Sequence, residues 1–189
     1  GCNHKNVRSR LMGIPTLIST STASGASTVS ITSGIDSTYD EYMFVLTDIG
    51  PASDDVIWQW NMSTDSGSNY NVTKTSTYFR SNHSEGGTGA AVAYEVGSDL
   101  AQGTGFQYLA EGVGADADQS SAGILHLFNP ASTTYVKHFY SRVSNAHNSN
   151  KMQDSFAAGY GNTTSAVDAV QFKMSSGNFD GVIQLFGIA

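Results

Sequence analysis

The sequence predicts an all-β protein: an antiparallel β-sandwich of jelly-roll type with an extended N-terminal arm. Three observations point there. Charged residues are only 13% of the 189-residue chain, about half the share of an ordinary globular domain. In their place stand 26 Ser, 17 Thr, 20 Gly and 12 Asn, 75 residues in all, whereas Glu, Lys and Leu number four, five and eight. Such scarcity of helix formers excludes a helical bundle or coiled coil. Finally, short apolar segments with alternating periodicity recur between turn clusters, and 20 aromatic side chains supply a core that a disordered chain lacks.

The elements follow in order. Residues 1–26 read as the arm: basic at first, apolar from Leu11 to Ile18, then a Ser/Thr/Ala/Gly run with the composition of a flexible linker. Residues 27–189 read as the sandwich domain. Ser27–Thr32 alternates through Val29 and Ile31. Glu41–Ile49 is nearly continuously apolar, as in a strand covered on both faces. Val56–Met62 places Val56, Trp58, Trp60 and Met62 on one face, Gln59 and Asn61 on the other. Tyr70–Arg80 is rich in Thr and aromatics, and Ala90–Val96 is weaker. Gly97–Ser121 carries no strand signal and reads as a long loop with a short helix near Ser98–Gln102. Ile124–Phe128 runs into the turn pair Asn129-Pro130. Thr134–Val143, Ser155–Tyr160, Ala166–Met174 and Asp180–Ile188 complete about ten strands, at the spacing of a sandwich or barrel. No repeat of fixed period is visible, and no apolar run approaches the ~18 residues of a membrane span.

Charge is unevenly placed. Lys5, Arg8 and Arg10 give residues 1–35 a net +3, whereas residues 36–189 hold 6 basic and 16 acidic side chains, a net −10. An acidic body repels phosphate, so nucleic-acid binding through it is not expected. The arm, with Lys5, Arg8, Arg10 and Leu11 as its contact residues, either docks on an acidic protein surface such as a neighbouring copy's or is a solvated tail. Cys2 is the only cysteine, which excludes an intramolecular disulfide and a cysteine-based zinc site. A lipid anchor on Cys2 is disfavoured by its second position and by the lack of an apolar signal region.

Motifs for chemistry are few. Asp116-Ala117-Asp118 spaces two carboxylates as a hard cation requires, but an EF-hand starting there needs Gly and Glu where Ser121 and Leu127 stand. Asp54-Asp55 reads as a turn. His126 and His138 lie in apolar strands with no third ligand implied, so both read as packing residues. There is no G-x-S-x-G elbow and no phosphate-binding glycine loop, since Gly112–Gly114 lacks the flanking strand and basic residue. The glutamates available for paired acid–base work are Glu41, Glu85, Glu95 and Glu111. The chain therefore reads as non-enzymatic, with no metal and no cofactor. Trp58 and Trp60 read as core; Tyr94, Tyr108 and Tyr160 lie near loops, where rings stack on sugar faces. Tyr94, Tyr108, Asp116 and Asp118 thus form the candidate ligand-binding loop. Four N-x-S/T sequons, at Asn61, Asn71, Asn82 and Asn162, barely exceed the roughly three expected from composition and signal no glycosylation.

Three segments, Gly34–Phe44 (GIDSTYDEYMF), Leu127–Phe139 (LFNPASTTYVKHF) and Phe172–Gly181 (FKMSSGNFDG), resemble a family of virion structural or tail-associated proteins of marine tailed phages that infect cyanobacteria and other abundant ocean bacteria. The resemblance covers residues 27–189 and implies a structural role in the virion, as a head decoration or a tail or fibre component. The expected partners are other virion proteins of capsid or tail and further copies of the same chain; the alternative is a fibre module that binds a host surface glycan. No membrane partner is expected. The same segments read physically as fold determinants: a turn into the strand at Tyr42, a tight connection at Asn129-Pro130, and the last hairpin turn at Ser175–Asn178.

Overall fold

The computed structural model describes residues 13–189. Lys5, Arg8, Arg10, Leu11 and Cys2 lie outside the described residues. Among those described there are twelve strands and no helix. The first six are β1 (Thr16–Ala26), β2 (Val29–Ile31), β3 (Glu41–Pro51), β4 (Val56–Ser63), β5 (Lys74–Ser84) and β6 (Ala91–Tyr94). The others are β7 (Gln107–Val113), β8 (Ser121–Phe128), β9 (Lys137–His147), β10 (Lys151–Gly161), β11 (Ala169–Met174) and β12 (Phe179–Ile188). Every pairing is antiparallel, and the strands form a nearly closed, barrel-like sheet. One run is β1-β12-β3-β8-β9-β10-β5-β6 and the other is β2-β11-β4-β7; β7 touches β9 where Val113 pairs with His147.

Side-chain alternation explains most of these strands. In β3, Tyr42, Phe44 and Leu46 are buried while Met43 and Val45 on the opposite face are half-buried. In β4 the predicted inward face, Val56, Trp58, Trp60 and Met62, is fully enclosed. Phe179 lies edge-on to Trp58 at 4.8 Å and Phe172 stacks on it at 5.7 Å, with Phe44 against Phe172 at 5.6 Å and Phe139 edge-on to Trp60 at 5.1 Å. These contacts join β3, β9 and β12 to β4 and β11 across one apolar core. Burying each such ring stabilises the fold by roughly 1.5–3 kcal/mol.

Two expectations give way. The Ser/Thr/Gly run read as a flexible linker is part of β1, whose residues pair with β12 from Thr16↔Gly187 to Ala26↔Phe179. Ser and Thr suit an extended edge strand as well as a linker, and pairing to β12 decides between them. The stretch 97–121 contains no helix near Ser98–Gln102; it contains β7, which pairs with β4 through Val56↔Val113, Trp58↔Ala110, Gln59↔Tyr108 and Trp60↔Gln107. Register shifts on either side of Trp58 break the two-residue period there. Gly112 adopts φ +60, and a Cβ on it would collide with the His147 ring. A strand bulged at this point loses the alternation by which sequence reveals strands.

A second interior is polar. Tyr78 Oη donates to Ser155 Oγ at 2.8 Å, Ser76 Oγ donates to Gln107 Oε1, and Gln107 Nε2 donates to the Ser98 carbonyl at 3.1 Å. Gln153 Nε2 and Asn145 Nδ2 both donate to the Glu111 carbonyl at 3.2 Å. Most of these buried polar groups are tolerated because they satisfy one another, with Asn145 Oδ1 left without a partner.

Candidate functional site

The strands β8, β9, β10 and β5 present a continuous outer face whose residues are set by register. His126 faces Tyr140, Ile124 faces Arg142, Arg142 faces Phe156, and Phe156 faces Phe79, which in turn faces Tyr94 on β6. Tyr140 is 46% exposed, Phe79 41% and Tyr94 51%, well above the usual fate of large rings in a sheet.

Two aromatic groups organise this face. Around Tyr140, the His126 ring stacks at 4.5 Å, Phe128 approaches to 5.7 Å, and His126 Nδ1 donates to Glu41 Oε1 across β8 and β3. Around Phe156, Phe79 lies parallel at 4.8 Å and the Arg142 guanidinium sits 5.1 Å above the ring. Arg142 also donates to both carboxylate oxygens of Asp154, at 2.7 Å and 3.2 Å. That pairing raises the guanidinium further above its ordinary range, through the hydrogen bond first and the charge second. Beyond Arg142, on the side away from Tyr140, run two adjoining grooves of about 310 and 380 Å³ that share Ser144 and Met152. Gly123 floors one of them; a Cβ there would lie 2.3 Å from the Arg142 carbonyl oxygen.

The residues expected from sequence to form a ligand-binding loop are distributed differently. Tyr94 is on β6, its Oη bonded to Asp99 Oδ2, which holds the phenol's pKa up. Tyr108 is half-buried on β7 opposite Gln59, in the other run of strands. Asp116 and Asp118 are exposed in the β7–β8 connection, where Asp116 N–H donates to Gln119 Oε1 and its carbonyl accepts from Gln119 N–H. Asp54 accepts from Ala115 N–H at 3.1 Å. These are turn-stabilising bonds, and among the described residues no group of three His, Cys, Asp or Glu is arranged to hold a metal. His138 faces Tyr160, with ring centroids 6.0 Å apart, and does not pair with His126.

Of the four glutamates, Glu95 and Glu111 converge on one cation: Arg80 Nε lies 2.8 Å from Glu95 and 3.6 Å from Glu111. Ser98 Oγ also donates to Glu111.

Two lysines were not signalled by sequence as anything but surface charge. Lys74 and Lys137 are both fully buried and both face Gly161 across β10. Lys137 Nζ donates to the carbonyls of Ser132, Tyr135 and Thr163, closing the loop before β9. Lys74 Nζ donates to Asn61 Oδ1 and to the Val72 carbonyl, and burial pushes its pKa down to about 7.

Comparisons with protein-family models, curated proteins and solved structures find no match to this chain.

Proposed function

We propose that this protein is a non-enzymatic structural component on the surface of a tailed-phage particle, a jelly roll that presents its aromatic outer face. The jelly-roll reading is supported by first-with-last pairing: β1 with β12, β2 with β11, β3 with β8 and β4 with β7. On that reading β5, β6, β9 and β10 are insertions that widen one sheet. The observation that carries the functional reading is the outer face itself. Its rings are exposed while polar groups within the face bond one another, Glu41 with His126 and Arg142 with Asp154. Such a face is suited to contact rather than catalysis. The family resemblance at Gly34–Phe44, Leu127–Phe139 and Phe172–Gly181 supports the setting, with capsid or tail proteins and further copies of the chain as partners. Antibody labelling of purified virions tests it: label on the particle surface is expected, and its absence from particles overturns the proposal.

A second reading, a fibre module for a host glycan, is favoured by Tyr140. Its exposed ring is backed by His126 and flanked by Glu41 as a hydroxyl acceptor, the pairing of apolar face and polar edge that a sugar ring requires. Glycan-array binding that disappears in Tyr140→Ala supports this reading; retention of binding moves the site elsewhere.

A further inference from the structure

We propose that Lys74 and Asn61 are the two halves of an intramolecular amide cross-link, formed when Lys74 Nζ attacks the Asn61 carboxamide and expels ammonia.

Four features of the site converge on this chemistry. The amine and the carboxamide are already in contact, because Lys74 Nζ meets Asn61 Oδ1 and both residues are fully buried. The carbonyl is polarised from a second side by the Met62 backbone N–H, which donates to Oδ1 at 2.9 Å. This donor remains in place as negative charge grows on the oxygen in the tetrahedral intermediate. The amino group that must leave is itself held: Asn61 Nδ2 donates to the carbonyls of Tyr70 at 2.6 Å and Thr104 at 3.0 Å. Those acceptors also fix which end of the carboxamide is oxygen. Lastly, the Val72 carbonyl takes a hydrogen bond from Nζ at 2.7 Å and steadies the nucleophile.

Protonation is favourable too. An ammonium has no lone pair to attack with, but desolvation brings the Lys74 pKa down from 10.5 to about 7, so a substantial fraction is free amine at neutral pH. The step balances without a co-reactant. The Nζ lone pair forms a bond to Cγ, one Nζ proton passes to Nδ2, the Cγ–Nδ2 bond breaks, and ammonia departs to leave a secondary amide. Between free molecules such aminolysis is very slow. Holding the groups in contact is worth effective molarities of ~10⁵–10⁸ M, and the reaction need occur once in the lifetime of each molecule. The product would tie β4 to β5 covalently at the point where the polar interior begins.

Intact-mass spectrometry of the purified full chain tests this directly. The expected mass is lower than that of the sequence by one ammonia. Trypsin should fail to cut after Lys74, leaving a peptide of residues 11–80 whose fragmentation places the link between Asn61 and Lys74. In Lys74→Arg, which retains a buried cation but cannot form the amide, the deficit should vanish. An intact mass equal to the sequence overturns the proposal. An ammonia deficit with normal cleavage after Lys74, or one that persists in Lys74→Arg, also overturns it by pointing to a succinimide at another asparagine.

Discussion

The two interiors of this protein are built on opposite principles. Between β3, β12, β4 and β11 the contacts are ring on ring: Trp58, Phe172, Phe179 and Phe44 fill space with almost no hydrogen bonding. The indole nitrogens of Trp58 and Trp60 have no acceptor within hydrogen-bond distance. Around β5, β7 and β10 the buried polar residues include Lys74, Ser76, Tyr78, Gln107, Gln153 and Ser155, each held by named bonds. The apolar side derives its stability from area removed from water and tolerates imperfect geometry. The polar side gains little net energy per bond, yet losing one partner strands the other without water. The first supplies stability; the second supplies register, because a one-residue slip in β10 would misplace every partner.

The contrast can be broken from either side. Trp60→Ala should produce the largest loss, about 3–5 kcal/mol, since the ring's contact with Phe139 leaves a cavity that the sheets cannot close; urea denaturation measures it. A loss below 1 kcal/mol would mean the apolar core relaxes freely. Tyr78→Phe should cost less, about 1–3 kcal/mol, by taking the donor from Ser155 Oγ while keeping the ring. A neutral result would show that the polar interior is hydrated rather than self-satisfied.

The smallest effect belongs to neither interior. Asp65 in the β4–β5 connection accepts from Ser63 Oγ, Asn69 N–H and Asn69 Nδ2, and those bonds hold its pKa down from 3.8 to about 2. A depressed carboxylate contributes stability above its unfolded pKa and loses it as pH falls through the folded one. The stability gap between wild type and Asp65→Asn should therefore narrow as pH drops from about 4 to about 2, read from thermal melts at each pH. A gap that does not change with pH would place the aspartate's contribution in geometry rather than charge.

The apolar interior was legible in the sequence, and the polar one was not. Val56–Met62 and Ala166–Met174 announce themselves by alternating large apolar side chains, and the structure buries those faces. In β10, by contrast, the inward positions hold Gln153 and Ser155, residue types that sequence reads as exposed. Lys74 and Lys137 open strands where a lysine ordinarily faces water; no local pattern distinguishes a buried amine from a solvated one. The outer face was half visible: the alternation of Thr134–Val143 put His138 and Tyr140 on one side. That this side faces out, with Tyr140 against His126, depends on β8 lying beside β9, a pairing that sequence does not specify. Tyr94 and Tyr108 looked equivalent as loop aromatics but belong to different runs of strands.

The pairing of β1 with β12 has a mechanical consequence. Thr16 lies opposite Gly187, and Gly13 packs against Ala189, so residues 13 and 189 leave the sheet side by side. A load that drew these two points apart would open the β1–β12 hydrogen bonds one after another, as in a zipper, at low force. A load applied at residue 13 and resisted on β12 at Phe179, the partner of Ala26 at the far end of β1, would instead shear the same bonds together and meet far greater resistance. The protein is thus stiff or yielding according to where it is held, and a pulling experiment with handles at these two pairs of positions would measure the ratio.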